Sequence, residues 1–136
     1  MNEIDARFRE GMKDTMAEAL GMELVEVSPG KVVITMPVDH RTHQPLGLLH
    51  GGASVALAET VASIGGWYLV MKDGKAVVGQ EINANHLRSV RTGKVKAVGE
   101  VLHQGKTSQV WQIRIYDEAE RMVCISRCTL AVIEPR

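Results

Sequence analysis

The chain has 136 residues, enough for one domain with a hydrophobic core and too few for two ordinary domains. Hydrophobic residues make up 45% and charged residues 24%, and 16 basic residues balance 16 acidic ones. This composition indicates a soluble protein and gives no reason to expect binding to nucleic acid or to a membrane surface. We expect a single domain over residues 1–136. The acidic, amphipathic N-terminus, which lacks the apolar core of a signal peptide, favours the cytoplasm.

The first predicted element is a helix over residues 4–20, with Gly21 suited to its C-terminal cap. Apolar side chains recur there at four-residue spacing and form one stripe. Packing against the core is the simpler interpretation of this stripe. The alternative is a flap whose soft methionine side chains shape a ligand pocket. The stripe consists of Ile4, Phe8, Met12, Met16 and Leu20.

Two strands are predicted next, over Met22–Val27 and Lys31–Val38, joined by a Ser-Pro-Gly turn. The following loop and helix start carry three histidines, which raises the question of a zinc site. No cysteine or acidic residue joins them at a typical ligand spacing, so we expect no metal. These histidines are His40, His43 and His50.

A long stretch of small and apolar residues from Gly51 onward, with no proline between Leu46 and Val70, predicts a helix buried on nearly all sides. Its small residues favour close packing against a sheet, and Glu59 in its middle argues against a membrane span. A carboxylate is seldom buried unless it is paired or active, so Glu59 is a candidate catalytic residue. Ser63 lies on the same face and could orient Glu59, or it could be a small packing residue.

The start of this helix, His50-Gly51-Gly52, follows a loop that contains Gln44 and Pro45. The first N–H groups of a helix have no internal partner and carry the positive end of its dipole. Glycine lets a ligand approach the backbone closely. The Gly51 N–H could therefore stabilise an oxyanion, although a tight turn alone would also explain the glycines.

His50 and Glu59 are nine residues apart, which is about 13 Å and half a turn round on a helix. They cannot meet within one chain. If both act in one reaction, the site lies across the interface of a homodimer.

Four further strands are predicted after a turn at residues 72–75. Short connections favour antiparallel pairing, and one antiparallel sheet wrapped around a long helix is an α+β architecture. Two cysteines on one face of the last strand, Cys124 and Cys128, lie too far apart for a disulfide and should be reduced. The four strands are Ala76–Leu87, Lys94–His103, Gln109–Tyr116 and Met122–Ile133.

The motif His50-Gly51-Gly52-Ala53-x-x-x-x-Ala58-Glu59, preceded by Gln44, resembles the signature of hotdog-fold acyl-CoA thioesterases. A second matching block is Ile82-Asn83-Ala84-Asn85-His86-Leu87-Arg88. The likeness is strongest to the 4-hydroxybenzoyl-CoA thioesterase-like branch with a catalytic Glu. That branch includes the thioesterases of menaquinone and enterobactin biosynthesis and has relatives in phenylacetate degradation.

The resemblance implies a hotdog fold, an active site that contains Gln44, His50 and Glu59, an acyl site near the N-terminal segment, and a tetramer built from two dimers. His50 would hydrogen-bond the substrate rather than act as the main base. Cations and hydroxyls at two strand ends suit the phosphates of coenzyme A, although solvated strand ends would look similar. Trp67 could line the acyl or pantetheine tunnel, with core packing as the equal alternative. The expected coenzyme A contacts are His86, Arg88, Ser89, Lys106, Thr107 and Ser108.

We therefore expect a thioesterase for an aromatic acyl-CoA, with coenzyme A as part of the substrate and no separate cofactor. Glu59 would activate water or attack the carbonyl, and the sequence does not separate these roles. Two alternatives stay open at this point. One is an enoyl-thioester hydratase or dehydratase on the same fold, and the other is a non-catalytic acyl-CoA binding module.

Overall fold

One antiparallel sheet of six strands wraps around a long helix, as the sequence predicts. A computed structural model describes residues 3–135; Met1, Asn2 and Arg136, the ends of the predicted domain, lie outside the described residues. Each strand begins and ends within one residue of its predicted bounds. The strands lie in the order β1-β2-β4-β5-β6-β3. The elements are α1 (Glu3–Gly11), α2 (Met16–Ala19), β1 (Glu23–Ser28), β2 (Lys31–Pro37), α3 (Gly51–Val70) with a 3-10 turn (Met71–Asp73), β3 (Ala76–His86), β4 (Lys94–Gln104), β5 (Ser108–Tyr116) and β6 (Met122–Ile133).

The predicted single helix over residues 4–20 is wrong, because the chain breaks it into α1 and α2. Gly11 ends α1, Asp14 adopts a left-handed conformation with φ 59°, and the Thr15 hydroxyl donates to the Met12 carbonyl. Glycine weakens a helix, and short polar side chains compete for its backbone groups. The apolar stripe is interrupted as a result: Phe8 is buried, whereas Met16 is 61% exposed.

Helix α3 packs closely on the sheet because glycine replaces larger residues at the contacts. A Cβ atom at Gly65 would collide with the Trp111 ring, and one at Gly99 on β4 would collide with Val61 of the helix. By length and composition, α3 and its 3-10 turn are long and apolar enough to span a membrane. The side of α3 that faces the sheet is instead buried within the fold, as expected for a core helix. The predicted close packing of small residues against a sheet is confirmed.

A buried polar pair links the centre of the sheet to α3. Gln109 and Trp111 are both fully buried. The Trp111 indole N–H donates to the Gln109 side-chain oxygen at 2.8 Å, and the Gln109 amide nitrogen donates to the Gly66 carbonyl at 3.2 Å. These two bonds satisfy the indole and the amide inside the core.

Strand β3 lies at one edge of the sheet and contains a β-bulge. Gly79 pairs with Leu130 and Glu81 pairs with Thr129, so that Gln80 is the extra residue. A bulge shifts the alternation of side chains along a strand. Before the bulge, Val77 and Gly79 therefore face α3. After the bulge, Ile82, Ala84 and His86 face it.

Cys124 and Cys128 lie on β6, and both are free and fully buried, in agreement with the prediction. Burial raises the pKa of both thiols. The pKa of Cys128 reaches about 12 because the negative charges of Glu59 and Glu81 add to the effect of burial.

Candidate active site

His50 caps the start of α3 and leaves one backbone N–H of the first turn free. The Gly52 N–H donates to His50 Nδ1 at 2.7 Å, and the Ala53 and Ser54 N–H groups approach the His50 carbonyl at 3.0 and 3.3 Å. Within residues 3–135 no acceptor pairs with the Gly51 N–H. Since this N–H lies at the positive end of the helix, it is available to an oxygen that gains negative charge.

The cap also fixes where the neutral His50 ring carries its proton. Nδ1 accepts the Gly52 hydrogen bond, so it cannot hold a hydrogen of its own. The hydrogen of the neutral imidazole therefore lies on Nε2, and the exposed side of His50 is a donor.

The loop before α3 is held in shape by its own backbone. The Gln44 N–H donates to the Leu48 carbonyl at 2.8 Å, and the His50 N–H donates to the carbonyl of buried Thr42 at 2.8 Å. The Leu46 N–H donates to the side-chain oxygen of Gln44. A backbone N–H can only donate, so this bond determines which end of the Gln44 amide is the oxygen.

A cavity of about 400 Å³, here called the helix-start pocket, brings together five of the predicted site residues. The His86 ring lies directly against Gly51, since a Cβ there would be 2.9 Å from His86 Nε2. Sequence reasoning missed Leu48, Leu49, Ser54, Leu87 and Val123 in its wall. The predicted residues in the pocket are Gln44, Gly51, His86, Arg88 and Ser89.

A second cavity of about 620 Å³, here called the N-terminal cleft, lies between α3 and the α1–α2 segment. It contains the predicted residues Glu59, Ser63 and Trp67. The Phe8 and Trp67 rings meet edge to face with centroids 5.0 Å apart, and the Arg7 guanidinium lies 5.1 Å from the centre of the Trp67 ring. The cleft is thus closed on one side by an aromatic contact that fixes α1 on α3.

Three residues of the predicted apolar stripe, Phe8, Met12 and Met16, line the N-terminal cleft, as the flap alternative expects, whereas several other lining residues were not singled out from the sequence. Ala56 and Thr60 lie beside Glu59 on α3, and the three-and-four-residue spacing of one helix face would have revealed them. Ala76 and Val77 come from β3, which is distant in sequence from both α3 and the N-terminal segment. The complete lining is Phe8, Gly11, Met12, Thr15, Met16, Ala17, Ala56, Glu59, Thr60, Ser63, Ile64, Trp67, Ala76 and Val77.

Glu59 is half-buried, and its carboxylate lies against the backbone of Gly79 on β3. Ser63 lies in the same cleft, as its spacing predicts, but no hydrogen bond joins it to Glu59 in the described part of the chain. The structure therefore does not show the hydrogen bond suggested between Ser63 and Glu59. Gly79 was missed, although a glycine inside a strand is a recognised sign of a bulge or of close approach.

The two cavities separate the predicted catalytic residues. Gly51 and Glu59 are eight residues apart on α3, which corresponds to about 12 Å along its axis. Within one chain, Gln44, His50 and Gly51 lie at the start of α3, whereas Glu59 lies in its middle. This agrees with the sequence argument that His50 and Glu59 do not meet in one chain.

The expected phosphate contacts are separated in the same way. Ser108 pairs with Ala131 near the end of β6, whereas His86 pairs with Cys124 near its start. Seven residues of strand between those partners correspond to about 23 Å. The exposed Lys106 and Thr107 belong to the Ser108 turn, and Arg88 and Ser89 to the His86 end.

The three histidines considered for zinc do not assemble. The structure places no three His, Cys, Asp or Glu side chains of residues 3–135 close enough to hold a metal ion. His43 Nε2 is instead 2.8 Å from the Arg91 carbonyl. His40 is exposed beside Asp39, and the Arg41 guanidinium lowers the pKa of Asp39 to about 2.

Comparison with known proteins identifies the family. A family model described as Thioesterase superfamily matches residues 46–124, more than half of the chain. ComA2 of Bacillus subtilis is 61% identical over 123 residues, covering 90% of this chain and 98% of that protein. The 1,4-dihydroxy-2-naphthoyl-CoA hydrolase of Listeria monocytogenes is 50% identical over 121 residues, covering 89% and 98%. The crystal structure of thioesterase HI1161 from Haemophilus influenzae is similar with a TM-score of 0.92 and 45% identity, covering 98% and 93%. The chain therefore belongs to the thioesterase superfamily and is a hotdog-fold thioesterase.

Proposed function

We propose that this thioesterase hydrolyses an aromatic acyl-CoA to the free acid and coenzyme A. The observation that carries the proposal is the free Gly51 N–H at the start of α3, whose neighbours in the first turn are already bonded. The thioester oxygen would accept from this N–H. Because the transition state carries more negative charge on that oxygen than the substrate does, the donor stabilises it preferentially.

His50 supplies a second donor to the same oxygen. Its Nδ1 is bonded to the Gly52 N–H, so Nε2–H is the group that faces the substrate. Gln44 stands at the edge of the helix-start pocket with its side-chain oxygen bonded to the Leu46 N–H. Its amide nitrogen is then the end that would donate to the substrate or to the attacking water.

Glu59 supplies the attack in one of two ways. As a base, it takes a proton from water while the water oxygen bonds to the carbonyl carbon. As a nucleophile, it bonds to that carbon and forms an anhydride that water then hydrolyses. In both cases the C–S bond breaks and the coenzyme A thiolate leaves. Because a thiolate leaves readily, we expect the reaction to need no metal and no separate cofactor.

We propose that Glu59 and the oxyanion donors come from different protomers of a homodimer. Strand β3 has an open edge, and such an edge can pair with another strand. If two β3 strands pair antiparallel about Glu81, the middle residue of the strand, His86 of one protomer faces Ala76 of the partner. His86 borders the helix-start pocket and Ala76 borders the N-terminal cleft, so this pairing joins the two cavities. A tetramer of two such dimers follows from the family resemblance.

The same pairing would bring the two sets of phosphate contacts together. His86, Arg88 and Ser89 of one protomer would approach the Lys106–Ser108 turn of the partner. A positive charge from each side, with hydroxyl and backbone donors between them, suits the phosphates of coenzyme A. We propose that the protein works in the cytoplasm, where acyl-CoA esters are made and used.

The aromatic substrate class rests on the N-terminal cleft and on one relative. The cleft holds the Phe8–Trp67 aromatic contact and apolar walls from Met12 and Ile64, which favour a flat ring. The relative from Listeria monocytogenes is named for a naphthoyl thioester. Relatives named as hydrolases and thioesterases favour hydrolysis over the hydratase and non-catalytic alternatives.

The test is release of free thiol from benzoyl-, hydroxybenzoyl-, dihydroxynaphthoyl-, phenylacetyl- and medium-chain acyl-CoA. Wild type, Glu59→Gln and the matched control Glu100→Gln are compared, because Glu100 is an exposed carboxylate on β4. We expect aromatic thioesters to react fastest, Glu100→Gln to match wild type, and Glu59→Gln to lose at least about 10³-fold in kcat. Preference for medium-chain thioesters would contradict the substrate class, and an active Glu59→Gln would contradict the catalytic role of Glu59.

A further inference from the structure

Gly79 on β3 leaves the space that the Glu59 carboxylate occupies. A Cβ atom built at Gly79 overlaps the Glu59 carboxylate oxygen Oε2 and lies 3.1 Å from Cδ and 3.7 Å from Cγ. Any side chain at position 79 would therefore push the end of Glu59 out of its present place.

Steric contact matters here because hydrogen bonds do not hold the carboxylate. Within residues 3–135, no donor pairs with either Glu59 oxygen, and Ser63 in the same cleft does not reach it. The χ angles of a glutamate have several accessible rotamers when nothing restrains them. The surface of β3 at Gly79 is one part of the fold that limits where the carboxylate can lie.

The bulge at Gln80 connects this contact to the other half of the site. It follows Gly79 directly and shifts the alternation of β3, so that both Gly79 and His86 face α3. Without the extra residue, positions 81, 83 and 85 would face the helix, and His86 would turn away from Gly51. Bulges occur often beside active sites, where they redirect a side chain.

We propose that Gly79 is a positioning residue for Glu59, acting through the shape of the strand rather than through the reaction itself. The proposal rests on the proposed function, in which Glu59 is the base or nucleophile. It assigns to Gly79 control of the distance between the carboxylate and the substrate carbonyl, a distance on which the rate depends steeply.

Gly99, a buried glycine on β4, gives a clear contrast to Gly79, which lies exposed on the edge strand. A Cβ at Gly99 would collide with Val61, a fully buried residue in the middle of α3 that has nowhere to move. At Gly79 the collision is with the free end of a flexible side chain, which can rotate away at little cost. Gly99→Ala should therefore reduce stability, and Gly79→Ala should reduce activity.

The experiment compares kcat, KM, thermal stability and oligomeric state for wild type, Gly79→Ala and Gly99→Ala. For Gly79→Ala we expect kcat to fall about 10²-fold with KM within a few-fold, and with unchanged assembly and Tm. For Gly99→Ala we expect a lower Tm and a nearly unchanged kcat per folded molecule.

A rescue variant separates positioning from general damage. Aspartate is one methylene shorter than glutamate and would clear an alanine at position 79. Combining Glu59→Asp with Gly79→Ala should therefore cost less activity than the product of the two single losses. The proposal would be overturned if Gly79→Ala kept the wild-type kcat or lost its oligomeric assembly. It would also be overturned if the activity losses of the two single variants simply multiplied in the double variant.

Glu59→Gln, measured alongside, distinguishes this proposal from the proposed function. If Glu59→Gln is fully active, the role of Glu59 fails and Gly79 has nothing to position. If Glu59→Gln is inactive and Gly79→Ala is fully active, the proposed function stands and the role of Gly79 alone fails.

Discussion

His50 performs two tasks with its two ring nitrogens, and substitution can separate them. Nδ1 accepts the Gly52 N–H at 2.7 Å and caps α3, whereas Nε2–H faces the substrate in the proposed mechanism. Asparagine is among the best N-cap residues because its side-chain oxygen accepts from the first turn. It is too short to replace Nε2–H at the same point. His50→Asn should therefore keep the cap and lose the donor, and His50→Ala should lose both.

The magnitudes follow from the two interactions. Loss of an N-cap costs about 1 kcal/mol. For a chain of this size that corresponds to a fall in Tm of roughly 3–5 °C. Loss of one oxyanion donor lowers kcat by about 10²–10³-fold. We expect kcat to fall by that factor in both variants, and Tm to fall only in His50→Ala.

Thermal unfolding and free-thiol release on the fastest aromatic acyl-CoA provide the two measurements. The two variants serve as controls for each other, since they differ in the cap and share the missing imidazole. A His50→Asn protein with wild-type kcat would refute the donor role. A His50→Ala protein with unchanged Tm would refute the capping role.

Two further predictions concern the core. Gln109→Leu leaves the buried Trp111 indole N–H without its acceptor and should lower the unfolding free energy by about 2–4 kcal/mol in urea. Adding Trp111→Phe removes the unpaired indole donor, so the double variant should lose less unfolding free energy than the sum of the two single losses. Strict additivity would contradict a direct interaction. The pKa of Cys128, raised to about 12 by burial and then by Glu59 and Glu81, predicts that iodoacetamide modifies this thiol at pH 8 in unfolded protein and not in native protein. Because the folded pKa lies above the unfolded value of 9.0, the stability linked to this thiol is complete below pH 9 and is lost as the pH rises toward 12. Cys128→Ala should make Tm less dependent on pH in that range, and an unchanged dependence would contradict the assignment.

The sequence by itself determined the parts of this protein that depend on local pattern. Small apolar residues from Gly51 onward define α3, and alternating residues between turn signals define the strands, because hydrophobic periodicity and turn chemistry act over a few residues. The helix geometry already showed that His50 and Glu59 are too far apart to share a site within one chain. The signature around Gln44, His50 and Glu59 pointed to the family that the comparisons then showed.

Only the tertiary structure decided features that depend on contacts between distant segments. The α1–α2 break is partly local, since Asp14 and Thr15 favour a turn, but the docking of Phe8 on Trp67 depends on α3. The bulge at Gln80 arises from pairing with β6, and a shift of one residue in that pairing decides which β3 residues face the helix. The contact between Glu59 and Gly79 joins a helix to an edge strand, so it can be recognised only from the positions of both elements in the fold. Periodicity along one chain fixes which face of an element is apolar, whereas the partner that the face meets is fixed by packing in three dimensions.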